Sequence, residues 1–201
     1  RTGFSAGAPK SAGYAKRYAL RCEWMLSKIK EALFGSKSKN SESSSTENKD
    51  QSRYTIRDGE LTPTDEAFEA WTGRDIEKMR EALKTKTNLV DRHFLLMTFV
   101  DETYKRRKSD PDAKEECAEV SEQHIKEFPA IKPALVKSLD GILPRVTTFQ
   151  KYATLLTEQG QYERAIEVCE IAISHGLHDG TKGGYEGRMD KIKKKAAGRN
   201  A

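Results

Sequence analysis

Apolar residues recur at helical spacing over most of this chain, and the places where they stop recurring divide it into parts. Over residues 10–34, Tyr14, Tyr18, Cys22, Met25, Ile29 and Leu33 follow one another at steps of three or four, which sets them on one face of a helix. Gly35 closes that pattern. Residues 36–53 then hold no apolar residue at all. Such a segment has too little surface to bury against the entropy of ordering it, so a flexible linker is predicted. Residues 54–61 place two short β-prone pieces around Asp58-Gly59, the signal of a small hairpin. The expected parts are a basic amphipathic helix over 1–35, a Ser-rich linker over 36–53 and a helical domain over 54–201.

Within that domain the stops and starts are written in capping residues. Thr62-Pro63 predicts an N-cap with proline at the first helical position, and Asp65 supplies a capping carboxylate. Helices are expected over 63–71 and 75–86 with Gly73 between them. The segment 88–108 turns Val90, Phe94, Met97, Val100 and Tyr104 to one broad face and ends in Lys105 to Lys108, cations that suit a helix C-terminus. Asp110 and Pro111 cap and open the next helix, whose inner stripe is Ala113, Cys117, Val120, His124 and Phe128 and which Pro129 ends. A short helix over 132–140 stops at Gly141. The last helix begins near Gly184, with Tyr185, Met189, Ile192 and Ala196 inside and Arg188, Lys191, Lys193, Lys194 and Lys195 outside.

Residues 147–176 pair two helices about Gln159-Gly160-Gln161. Phe149, Tyr152, Ala153 and Leu156 line the first, and Tyr162, Ala165, Ile166, Cys169 and Ala172 line the second. The small residues allow close approach of the two helices, and Gly160 supplies the tight turn. This segment resembles a tetratricopeptide repeat in its order of aromatic, small and large positions. It departs from the family in carrying Ala153 where Gly is common and in lacking a closing Pro. Residues 94–128 read as a divergent second unit, with the expected helix over 132–140 accounting for its wider spacing. The resemblance implies an all-α fold, a right-handed helical repeat of the solenoid type, and binding of a peptide or helix along the face of the first helices. Off the core stripes that face carries Thr98, Glu102 and Lys105 on the divergent unit and Gln150, Thr154 and Thr157 on the clear one. The segment after residue 176 is similar to the ends of bacterial helical proteins, which implies no activity.

Charge sharpens the picture. The chain of 201 residues is 36% hydrophobic and 33% charged with a mean hydropathy of −0.78, so helices with solvated outer faces suit it better than a large closed core. Residues 10–34 carry six Lys/Arg against two Glu, residues 181–201 seven against two acids, and residues 54–180 carry 18 against 24. An acidic body with two basic ends admits an anionic partner at the ends. In the N-terminal segment Lys16, Arg17, Arg21, Lys28 and Lys30 surround an aromatic face with Trp24. At the C-terminal end the basic patch is Arg188, Lys191, Lys194 and Lys195. Nucleic acid or an anionic surface is thus an alternative partner class to protein. The N-terminal helix also offers a route to a homo-oligomer.

Signatures of catalysis are not found. Cys22, Cys117 and Cys169 have no paired spacing and fall on apolar faces, so they read as core thiols of a reducing compartment, the cytoplasm. No stretch reaches the length needed to span a bilayer. The glycines of 178–187 suggest an anion cradle, but neither a Walker A nor a dinucleotide spacing is present, and a turn explains them. His175, His178 and Asp179 lack further ligands for a metal. Asp91 reads as a helix-start acid and His124 as a core histidine. The expectation is a non-enzymatic scaffold without cofactor or metal. The chain begins at Arg1, and a third reading makes it the regulatory C-terminal part of a larger enzyme.

Overall fold

The computed structural model describes residues 53–57 and 60–198, so the helix expected over 10–34 and nearly all of the 36–53 linker lie outside the described residues. Strands β1 (Tyr54–Arg57) and β2 (Glu60–Pro63) pair antiparallel. Seven helices follow among the described residues: α1 (Glu66–Gly73), α2 (Ile76–Ala82), α3 (Leu89–Arg106), α4 (Pro111–Ser138), α5 (Thr147–Glu158), α6 (Tyr162–Ser174) and α7 (Gly184–Ala197). The chain is mainly helical, as its periodicity predicts.

The ribbon has an inverted polarity. Its register sets Tyr54 opposite Pro63 and Ile56 opposite Leu61 on one face, and Thr55 opposite Thr62 and Arg57 opposite Glu60 on the other. The apolar face points to solvent, with Tyr54 56%, Ile56 66% and Leu61 69% exposed. Arg57, from the polar face, reaches the body instead, donating to both carboxylate oxygens of Asp91 at 2.5 and 3.1 Å.

Helix starts follow side-chain caps. Asp65 accepts from the Phe68 N–H, Asp75 from those of Glu77 and Lys78, Asn88 from that of Asp91 and Asp110 from that of Ala113. Each cap satisfies a donor that the helix itself leaves free, a contribution of about 1 kcal/mol. Two expectations are corrected here. Thr62-Pro63 does not open a helix, because pairing with β1 keeps both residues extended and Asp65 takes the cap. Gly73 does not make the break after α1 either: Arg74 takes the left-handed conformation, φ 53°, and its guanidinium bonds Glu102 at 2.9 Å.

The largest correction is α4. Pro129 does not end it, and no separate helix over 132–140 exists; one helix of 28 residues runs through Pro129 and Pro133, about 40 Å long at 1.5 Å per residue. A proline inside a helix forfeits one hydrogen bond and crowds the carbonyl four residues back. Here both prolines stand four apart on the exposed side. The buried stripe Cys117, Val120, His124, Phe128, Ile131 and Leu135 continues unbroken beneath them, and its burial outweighs the local cost.

Packing runs in sequence order. Helix α3 touches α1, α2, α4 and α5; α4 touches α5, α5 touches α6 and α6 touches α7. Because α3 is covered on several sides, its buried set is wider than one stripe: Leu95, Leu96, Phe99, Val100 and Thr103 are buried, while Phe94, Met97 and Tyr104 of the expected face are only partly covered. The α5–α6 hairpin follows its sequence pattern closely. Phe149, Tyr152, Ala153, Leu156, Tyr162, Ala165, Cys169 and Ala172 are all buried, and Gly160 turns the chain at φ 79°. Ala153 and Ala165 are fully covered, so larger residues there would overpack the crossing.

Candidate interaction surface

Helices α3, α5 and α7 are joined by polar ties. Asp101 of α3 accepts from Thr147 and Lys151 of α5. Further along, Arg107 forms a two-point pair with Glu158 at 2.8 and 2.9 Å and lies over the Tyr104 ring, 3.7 Å from its centroid. From α5 to α7, Thr154 accepts from Arg188 at 3.0 Å and the Thr157 carbonyl from Lys195 at 3.4 Å. Glu158 is held below the usual carboxylate range, first by the Arg107 hydrogen bonds, with Lys108 and Lys195 adding to the pull. Two basic stretches far apart in sequence thus converge on one carboxylate.

The expected site residues separate into two groups. Gln150, Thr154 and Thr157 lie along the seam with α7: Gln150 accepts from Arg145, and both threonine hydroxyls also donate to carbonyls of their own helix. Thr98, Glu102 and Lys105 are elsewhere. Thr98 is buried and beyond a partner's reach, Glu102 is shared by Arg74 and Lys105, and Lys105 is exposed. No hydrogen bond joins the two groups among the described residues. Of the expected basic patch, Lys191, Lys194 and Lys195 are exposed, but Arg188 is not part of an open patch. It turns inward onto Asp179, to which it donates from two nitrogens at 2.9 and 3.1 Å.

That inward turn explains the glycine-rich loop. The loop surrounds its own carboxylate: Asp179 is 1% exposed and accepts from the Thr181 N–H and hydroxyl as well as from Arg188. Burial alone would raise its pKa, but these donors more than offset it and the carboxylate is held low. Gly180 sits at φ +81°, and a Cβ there would meet the Arg145 guanidinium at 2.9–3.2 Å. The absence of a side chain lets that guanidinium lie against the backbone and bond the Asp179 carbonyl at 2.6 Å. His178 accepts from the Gly180 N–H, and His175 packs edge-on against Phe128.

Two buried polar centres lie deeper. Asp91, 2% exposed, accepts from Arg57, from the Trp71 indole at 3.1 Å and from Asn88 at 2.6 Å. Its role exceeds that of a helix-start acid, since it holds the ribbon and α1 to α3. Two residues on, His93 Nδ1 faces His124 Nε2 at 3.0 Å, and His124 Nδ1 faces the Thr148 hydroxyl at 2.7 Å, threading α3, α4 and α5. His93 Nε2 has no partner. Burial lowers the His93 pKa to about 4, and burial with His93 and Arg92 drives His124 well below the ordinary value. His124 stood on the predicted inner stripe. Nothing in sequence spacing pairs it with His93. The short distance from Asp179 to Thr181 is the kind of signal that could have marked a self-capped turn.

The chain matches no protein-family model, no curated protein and no solved structure.

Proposed function

We propose that this chain is a protein–protein interaction module of helical-repeat type, in which a peptide or helix of a partner lies along the polar surface shared by α3, α5 and α7. The supporting observation is the pair of ties just described: Asp101 and Arg107 bind α5 to α3, and Arg188 and Lys195 bind α7 to α5. First helices of successive hairpins therefore neighbour one another, the arrangement on which repeat folds build an extended binding face. Kinship with tetratricopeptide repeats and a right-handed superhelical course belong to the same proposal and rest on the pattern of 147–176. A photo-crosslinking side chain at Gln150 is expected to trap a partner in cells. The same group at Glu119, on the exposed side of α4, is expected to trap none. Equal trapping at both positions would refute the assigned face.

A second reading, binding of nucleic acid through the basic terminal helices, is favoured by exposed Lys191, Lys193, Lys194 and Lys195. It requires affinity that falls steeply as salt rises.

A further inference from the structure

The strip between α5 and α7 has a chemistry more specific than polarity. On α5 it presents the Gln150 amide and the hydroxyls of Thr154 and Thr157; beside them stand Arg145, Lys191 and Lys195. Arg145 is exposed, and its contacts are the neutral Gln150 amide oxygen and the Asp179 carbonyl. Lys191 and Lys195 are exposed, and the ion pair that α7 makes with the glycine-rich loop engages Arg188 and neither lysine, while Lys195 adds to the pull on Glu158. The contacts of Arg188 with Thr154 and of Lys195 with Thr157 fix which flank of α7 faces α5. At about 3.6 residues per turn Lys191 shares that flank, whereas Lys193 falls on the opposite one together with Glu186 and Asp190. The α5 flank of the helix thus carries Arg188, Lys191 and Lys195 and no acid, while Glu186 and Asp190 lie away from it.

We propose that the α5–α7 strip binds an acidic, extended peptide segment of a partner, its carboxylates paired with Arg145, Lys191 and Lys195 and its backbone served by the Gln150 amide nitrogen and the Thr157 hydroxyl. This deepens the module reading and rests on it for the choice of face. The occupant is argued from charge complementarity and from what surrounds the strip. Lys195 stands near enough to Glu158 to add to the pull on its carboxylate, so a rigid polyanion such as a nucleic-acid duplex would run past the strip onto like charge, whereas a short peptide can end before it. Bases would also find no open aromatic surface, because Arg107 covers the Tyr104 ring. A membrane surface would ask for apolar residues to insert, and the strip has none.

The test uses the full chain and two labelled probes, a short peptide of alternating Glu and Ser and a DNA duplex, followed by fluorescence anisotropy at low and moderate salt. The peptide should bind, and Lys191→Glu and Lys195→Glu should each, singly, weaken it by about tenfold or more. Lys193→Glu makes the same single charge change on the wrong flank and should weaken it by less than about threefold. All three side chains are exposed, so unchanged circular dichroism and melting temperature are expected to accompany all three variants. Equal loss at Lys193 would show that net charge alone acts and would overturn the proposal. So would absence of peptide binding, or tighter binding of the duplex with the same dependence on Lys191 and Lys195. If trapping at Gln150 succeeds while the acidic peptide fails, the module reading stands and this inference falls. The reverse result keeps the strip and removes the wider face.

Discussion

Asp91 and His93 stand two residues apart on α3, both buried, and the protein satisfies them by opposite means. Asp91 has drawn donors from three separate segments: Arg57 of the ribbon, Trp71 of α1 and Asn88 at the start of its own helix. His93 has one partner, His124, and an unpaired Nε2. A buried charge must be met by a charge and hydrogen bonds or it costs several kcal/mol. A buried imidazole escapes that demand by staying neutral, and the cost reappears as a dependence on pH. One site therefore holds the fold together through ionisation, and its neighbour does so only while un-ionised.

The largest expected effect comes from removing the charge that has been met. Asp91→Ala leaves Arg57 and the Trp71 indole without their acceptor, and urea unfolding should show a loss of about 3–5 kcal/mol. A loss under about 1 kcal/mol would mean that the ribbon contributes little to holding the body.

Acid should act on the other site with nearly the same force. The His93 pKa in the folded chain, about 4, lies below its ordinary 6.5, so between those values the unfolded chain binds the extra proton. Stability is full above pH 6.5 and falls as pH drops toward 4, by about 3 kcal/mol for this group. His124, lowered in the same direction, adds to the slope. The thread also limits uptake: with one proton between the facing nitrogens it accepts at most one more before two N–H groups oppose each other at 3.0 Å. His93→Gln keeps a hydrogen-bonding side chain that does not titrate. Its unfolding free energy, measured from pH 7 to pH 4, should vary less than that of the unaltered chain. An unchanged slope would place the acid sensitivity elsewhere.

Smaller effects separate the two centres further. Thr148→Val removes the hydroxyl from His124 Nδ1 in a fully buried position and should cost about 1–2 kcal/mol in urea unfolding at neutral pH. Trp71→Phe removes one of several donors to Asp91 and should cost about 1 kcal/mol, with a pH profile parallel to that of the unaltered chain. If Trp71→Phe exceeds Asp91→Ala, the indole packs more than it bonds and Asp91 is not what holds the ribbon and α1 to α3.

Legibility in the sequence followed the range of the interaction. The α5–α6 hairpin, the Asp110 cap, the start of α7 and the turn at Gly160 were readable because each depends on residues within a turn or two of one another. The break expected at Pro129 failed because a local rule met a continuous buried stripe supplied by α3 and α5. The phase of α3 was misjudged because a period count assumes one covered face and this helix has several neighbours. Among the candidate residues, Gln150, Thr154 and Thr157 were found on one seam, while Thr98 was lost to burial and Arg188 to an inward pair with Asp179. Both losses reflect contacts that no spacing encodes.

By itself the sequence determined that the chain is mainly helical, that Asp65 and Asp110 cap helix starts, that two small residues let α5 and α6 close, and that cations gather at the C-terminal end. Only the tertiary structure decided which polar groups meet. His93 and His124 are 31 residues apart, Arg57 and Asp91 are 34 apart, and Arg107 and Glu158 are 51 apart. Helix propensity and capping act within a few residues along the chain. The pairing of buried charges and the placing of Lys191 and Lys195 beside a neighbouring helix depend instead on how helices dock, and docking is set by the summed packing of the whole core.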